Sequence, residues 1–275
     1  MKIKTLAMML ATTLALTNQE CVSASFTIDM EKLVNDGDIN IIPNAEFPIT
    51  HAGAHSWKYS EDINRYQKIS KVKYKGKEIL AINLTDTFDK NKNRIYMLDV
   101  LTPLQSPETN ITLEVTIPGG IKIPGGIEIP GGIYNKGSHL PVHIGPKAFQ
   151  YANLMNLSMN LFLVERHGFS VTMPEDCSGL CQGSNIFEII DIRDSNTQHV
   201  TDMTFMYANC ARLKKLLLGN NFSMLNCLNK RDNIVSGCTS LQQVDQVTYS
   251  NLPQGTQPTP EELFSTALVY MDLCS

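Results

Sequence analysis

Basic residues are scarce in this sequence and are nowhere gathered into a stripe. Lys and Arg total 23 against 27 Asp and Glu in 275 residues. Without an N-terminal leader holding Lys2, Lys4 and Glu20, 21 basic and 26 acidic residues remain, a formal charge of −5. That balance argues against nucleic acid as a partner, because neutralising phosphates takes clustered cations. Long apolar runs are missing too. No segment after residue 24 approaches the roughly 18 residues of a membrane span, so no stable membrane insertion is expected of the mature chain. Catalytic signatures are absent: there is no Gly-x-Ser-x-Gly elbow, phosphate loop or His-Glu-x-x-His. No residue is therefore assigned a catalytic, cofactor-binding or metal-binding role. Hydrophobic content of 43% excludes disorder as the general state.

The start of the chain has the form of a signal peptide over residues 1–24. Lys2 and Lys4 give a positive n-region, Thr5 to Thr17 an apolar h-region, and Val22-Ser23-Ala24 ends on the small residues a signal peptidase prefers. The alternative is a buried N-terminal helix. A lipid anchor at Cys21 is disfavoured by the bulky or charged Asn18-Gln19-Glu20 before it.

Residues 25–115 read as a β-rich N-terminal region or cap. Val72 and Tyr74 alternate with lysines, Lys75-Gly76 turns the chain, and residues 79–84 return it as a hairpin. Residues 89–93 form a polar loop, and Ile95 to Leu101 the next strand. Ile111, Leu113, Val115 and Ile117 alternate with polar residues, which gives a strand with one buried face. Three hexapeptides then follow over 116–139: Ile117-Pro118-Gly119-Gly120-Ile121-Lys122, Ile123 to Glu128, and Ile129 to Tyr134. One reading is three stacked β-arcs that continue the sheet; the other is a duplicated linker.

Residues 140–250 carry a longer repeat. In Asp202-Met203-Thr204-Phe205-Met206-Tyr207, the residues Met203, Met206 and Tyr207 stand at i, i+3 and i+4, the spacing of one helical face, with Asp202 as N-cap. Leu213, Leu216 and Leu218 then follow Leu-x-x-Leu-x-Leu, a turn into a short strand. Phe149 to Leu157 aligns without a gap with Phe205 to Leu213, an offset of 56 residues, and Cys238 follows Cys210 by 28. A further unit is expected near residue 182. Such units bury their apolar faces only by stacking.

Val200-Thr201-Asp202-Met203, with Met206-Tyr207-x-x-Cys210-x-x-Leu213-x-x-Leu216, resembles the BspA-type leucine-rich repeat of bacterial surface proteins. Val142 to Phe149 and Val115 to Pro118 resemble its other common version. The resemblance spans residues 115–247. It implies an α/β leucine-rich-repeat solenoid of about four coils, each a short helix plus a short strand. It also implies a secreted or cell-surface, non-catalytic protein-binding or adhesion module, whose partner is a host or neighbouring-cell surface protein. The alternative is a secreted hydrolase with its site in residues 25–115 and the repeats as a targeting appendage.

Residues 251–275 are a loop and a capping helix. Thr259 is its N-cap, Pro260 suits the first position, and Glu262 completes a capping box. Six cysteines follow the leader. Cys210 and Cys238 share a repeat position that Leu154 fills in the first unit, which suggests a buried apolar slot rather than a 210–238 bridge. A local Cys177–Cys181 bridge stays open. Two histidine pairs, His51/His55 and His139/His143, have the i, i+4 spacing of metal ligands, but Gly53 and Pro141 interrupt them, so loop histidines are the preferred reading. Asp191 and Asp194 flank Arg193 as a solvated charge cluster. Asn83, Asn110, Asn156 and Asn221 head glycosylation sequons.

Overall fold

Apolar–polar alternation runs through most of the chain, and strands follow from it. The computed structural model describes residues 24–53, 57–101, 111–122, 128–129, 132–133, 137–152, 157–248 and 259–274. The leader apart from Ala24, together with His55, Asn110, Asn156 and Leu154, lies outside them. Strand accounts for 43% and helix for 9%, the latter in two helices, so the protein is mostly β. The expected α/β solenoid of about four helix–strand coils does not form. The strands build two curled mixed sheets.

The first sheet runs β1 (Ala24–Asp29), β8 (Ile111–Pro118), β13 (Leu157–Val164), β14 (Phe187–Asp191), β15 (Lys215–Leu217), β16 (Gln243–Val244), β17 (Val247–Thr248). Every neighbouring pair is parallel except β16–β17. The second runs β3 (Ile49–Ala52), β2 (Asp38–Ile41), β5 (Arg65–Tyr74), β6 (Lys77–Phe88), β7 (Arg94–Leu101), β12 (His139–Ile144), β9 (Gly120–Lys122), with β4 (Lys58–Ser60) on β5. The β5–β6 hairpin turns at Lys75 and Gly76, both left-handed (φ 49 and 78), as two-residue hairpin turns require. Residues 25–115 contribute to both sheets, since β1 and β8 belong to the first.

Helix α1 (Met30–Asp36) follows β1 directly. The Asp29 carboxylate accepts the Glu31 N–H at 2.8 Å, and Met30, Leu33 and Val34 enter the shared core. Sequence reading gave no helix here. At the other end, α2 (Pro260–Cys274) carries the capping box. The Thr259 N–H donates to Glu262 at 2.6 Å, and the Glu262 N–H donates to the Thr259 hydroxyl at 3.2 Å. Leu263, Phe264 and Ala267 are buried, with Phe264 edge-on to Phe222.

The expected helix at Met203–Tyr207 is a run of turns, and its hydrogen bonds show why. The Met206 and Ala208 N–H groups close three-residue turns onto Met203 and Phe205. The alternate N–H groups leave the segment: Met203 donates to Lys230, Phe205 to Asp232, Tyr207 to Ile234 and Asn209 to Ser236. An α-helix starting at Met203 would need the Tyr207 and Asn209 donors for the Met203 and Phe205 carbonyls. Left-handed residues four apart, Phe205 and Asn209, make the geometry possible. The same pair recurs as Lys147/Tyr151, Gly179/Gly183 and Asn233/Gly237. Met203, Met206, Tyr207 and Cys210 are all buried, so the apolar spacing was real while the helix was not.

The pairing of units shifts with it. Tyr151 is the counterpart of Asn209, so the gapless alignment of Phe149 with Phe205 is two residues out of register. Cys210 and Cys238 do share a level, but its earlier members are Ala152 and Ser184. The Ser184 hydroxyl donates to the Ala152 carbonyl at 3.2 Å. Cys177, Cys181, Cys210, Cys227 and Cys238 are free and buried, so the possible Cys177–Cys181 bridge is not made.

The first hexapeptide is a crossover between sheets. Gly119 donates to Val164 of the first sheet and accepts from Val142 of the second. A Cβ there would stand 2.5 Å from the Phe169 carbonyl oxygen and 2.6 Å from the Ser170 carbonyl carbon. Backbone cannot yield as a side-chain tip can, so Gly119→Ala should cost on the order of 2 kcal/mol. A denaturant midpoint equal to that of the parent would refute the close approach. Strands β10 (Glu128–Ile129) and β11 (Gly132–Ile133) form a separate antiparallel pair, not further arcs of the sheet.

Candidate functional site

Two features stand out: an open sheet face and a cleft. Inward residues of β8 and β13 join the core, while Thr112, Glu114, Thr116, Asn160, Phe162 and Val164 face away. Strand register extends one outward row across six strands: Thr27, Glu114, Asn160, Ile189, Lys215 and Gln243. Phe162 lies beside it, between Thr116 and Asp191. Among the described residues neither helix covers this face: α1 packs into the core and α2 against β16 and β17. Parallel sheets are normally covered on both faces.

One margin of the face is fixed by charge. Arg212 donates to the Leu157 carbonyl at 2.7 Å, to the Ser158 hydroxyl, and to Glu188 at 3.3 Å; Lys214 reaches Glu188 at 3.0 Å. Burial pushes the Glu188 carboxyl up, but the Ser158 and Lys214 hydrogen bonds and the two cations hold it below the ordinary value. The Asn160 amide oxygen is buried and meets no donor among the described residues.

The cleft has a volume of about 510 Å³ and lies between the 88–95 turn, the end of β12, residues 172–176 and His199. Sheet pairing assembles it: His143 bridges Thr172, which bridges Asn196. Half-buried His199 places Nε2 2.7 Å from the Met173 carbonyl oxygen. Burial and the neighbouring His199 hold His143 below the usual imidazole value, against the pull of Asp89. Asp89 accepts the Asn91 and Asn93 N–H groups at 2.9 and 2.8 Å. Despite an opposing push from burial, those bonds and the Asn93 side chain keep its carboxyl low.

Of the histidine pairs read from sequence, His139/His143 does not hold together, and His55 of the other lies outside the described residues. His139 and His143 occupy one strand, where four residues span about 13 Å, too far to share a metal. His139 lies instead against His167, the rings tilted by 44° with centroids 4.7 Å apart. His51 is exposed on β3. No cluster of three metal-ligating side chains occurs among the described residues. Asp191 and Arg193 form a bidentate pair at 2.9 and 2.5 Å, with Asp194 exposed beside it. Asn221 is exposed, whereas the Asn83 amide oxygen is buried in β6. Sequence reading missed His199 and the cleft role of Asp89, because strand pairing, not spacing, joins them to His143. Searches against protein-family models, curated proteins and solved structures return no match.

Proposed function

We propose that this is a secreted or cell-surface protein that binds another protein without catalysis, in host or cell–cell interaction. The outer face of the parallel sheet, which neither described helix covers, carries this reading. It presents Phe162 and Ile189 among polar and charged residues on a rigid frame, the mixture that suits a protein partner. The five described thiols are buried; burial pushes the Cys177, Cys181 and Cys227 thiols up, and the hydrogen bond with Cys238 together with burial pushes Cys210 up, so none of these four is a ready thiolate nucleophile. No described helix is long and apolar enough to cross a membrane.

The test uses residues 25–275 as bait for extracellular and cell-surface proteins. A saturable partner should be lost, by tenfold or more in affinity, in a Phe162→Lys/Ile189→Lys variant with an unchanged melting curve. Undiminished capture by that variant would sink the sheet-face reading. The hydrolase alternative puts its site in residues 25–115, of which Asp89 lines the cleft beside His143. Turnover of an ester or glycoside by the wild type, abolished in His143→Gln, would favour it.

A further inference from the structure

The cleft offers more than a default pocket. Its accessible apolar lining is Phe88, Met97 and Pro146, over buried Ile144 and Met173. Its rim is acidic: Asp89, Glu175 and Asp176 line it against one cation, Lys90. Glu175 and Asp176 are exposed and make no ion pair with the described cations. The His199 Nε2 contact with the Met173 carbonyl requires a proton on that nitrogen, so neutral His199 keeps Nδ1 as an acceptor. The cleft thus combines carboxylates and the His143 imidazole with an apolar lining, at a volume suited to a small molecule.

We propose that this cleft binds a small organic cation, an ammonium or guanidinium carried on an apolar or aromatic body. The body rests on Phe88, Met97 and Pro146, and the charged head lies toward Glu175, Asp176 and Asp89. The site uses none of the sheet-face residues and stands or falls apart from protein binding there. It is also pH-dependent. His143 is faced by Asp89 from the β6–β7 turn and by His199, with Lys90, Glu175 and Asp176 around the same cleft. Protonating the His143 imidazole adds positive charge where the ligand's head must sit, so binding weakens as pH falls.

Tryptamine and its neutral isostere tryptophol separate charge from shape. By calorimetry on residues 25–275, tryptamine should bind at least tenfold more tightly than tryptophol at pH 7.5. Glu175→Gln/Asp176→Asn should remove most of that difference, and His143→Gln should flatten the loss of affinity between pH 7.5 and 5. Amide shifts on titration should map to residues 88–97, 143–146 and 172–176. Equal binding of the two compounds, or shifts elsewhere, would overturn the proposal. So would tight binding of a lysine-containing peptide with none of the free amine, which would make the cleft a polypeptide site.

Discussion

Leu213→Asp should abolish the cooperative thermal transition of residues 25–275. Leu213 is 0% exposed, and its N–H closes onto Cys210 at 3.0 Å, at the exit of the Met203–Cys210 turns. Aspartate there leaves a charge or an unpaired carboxyl in an apolar core and a cavity beside it. Such changes cost about 4–5 kcal/mol or more, against a total of roughly 5–15 kcal/mol for a folded domain. The loss also spreads. Residues 202–209 accept from Cys177, Gly179, Cys181 and Gly183 and donate to the 230–236 segment, so their collapse strips partners from both. Leu213→Met, which keeps the volume, should cost less than about 1.5 kcal/mol. Leu225→Asp, at a residue 85% exposed, should move stability by no more than about 0.5 kcal/mol. A Leu213→Asp protein that melts within a few degrees of its parent would refute the assignment of Leu213 to the core.

What the sequence made legible was local. The β5–β6 hairpin, the polar loop at 89–93, the alternation of β8 and the Thr259–Glu262 capping box each rest on residues a few positions apart. The Met203–Cys210 stretch shows the limit. Periodicity reports which side chains are buried, and consecutive turns bury i, i+3, i+4 and i+7 much as a helix does. It is silent on where the N–H groups go. The clue lay in turn-forming residues four apart, Gly179 and Gly183, then Asn233 and Gly237, each left-handed in the fold; a helix would not favour them. The rows of the sheet face depend on register between strands up to 87 residues apart, as for Thr27 and Glu114. His143 was singled out with the wrong partner for the same reason.

Lys68→Met should raise stability at neutral pH. The lysines at 71 and 73 lie on the outer side of β5, and Lys68 looks in sequence like one more of that series. The strand's pleat places it on the other side, in line with Ser70, Val72 and Tyr74, all buried. Lys68 is 5% exposed and stands across from Leu84 of β6. Burial pushes its amine down to about 8, with Asp36 at the end of α1 pulling weakly the other way. The unfolded chain holds the proton to the ordinary value of 10.5. Between those two values the unfolded state binds more protons than the native state, so stability rises with pH across that interval. Below about pH 8 the penalty of burying the ammonium is present in full. Methionine fills similar volume without the charge, which should gain on the order of 2–3 kcal/mol at pH 7, or about 5 °C in Tm. The advantage should shrink steadily from pH 8 and nearly vanish by pH 10.5. Thermal melts of parent and variant at half-unit pH steps measure it directly. A constant gap across that range would mean that the Lys68 amine is solvated, and that the inner face of β5 has been assigned the wrong way round.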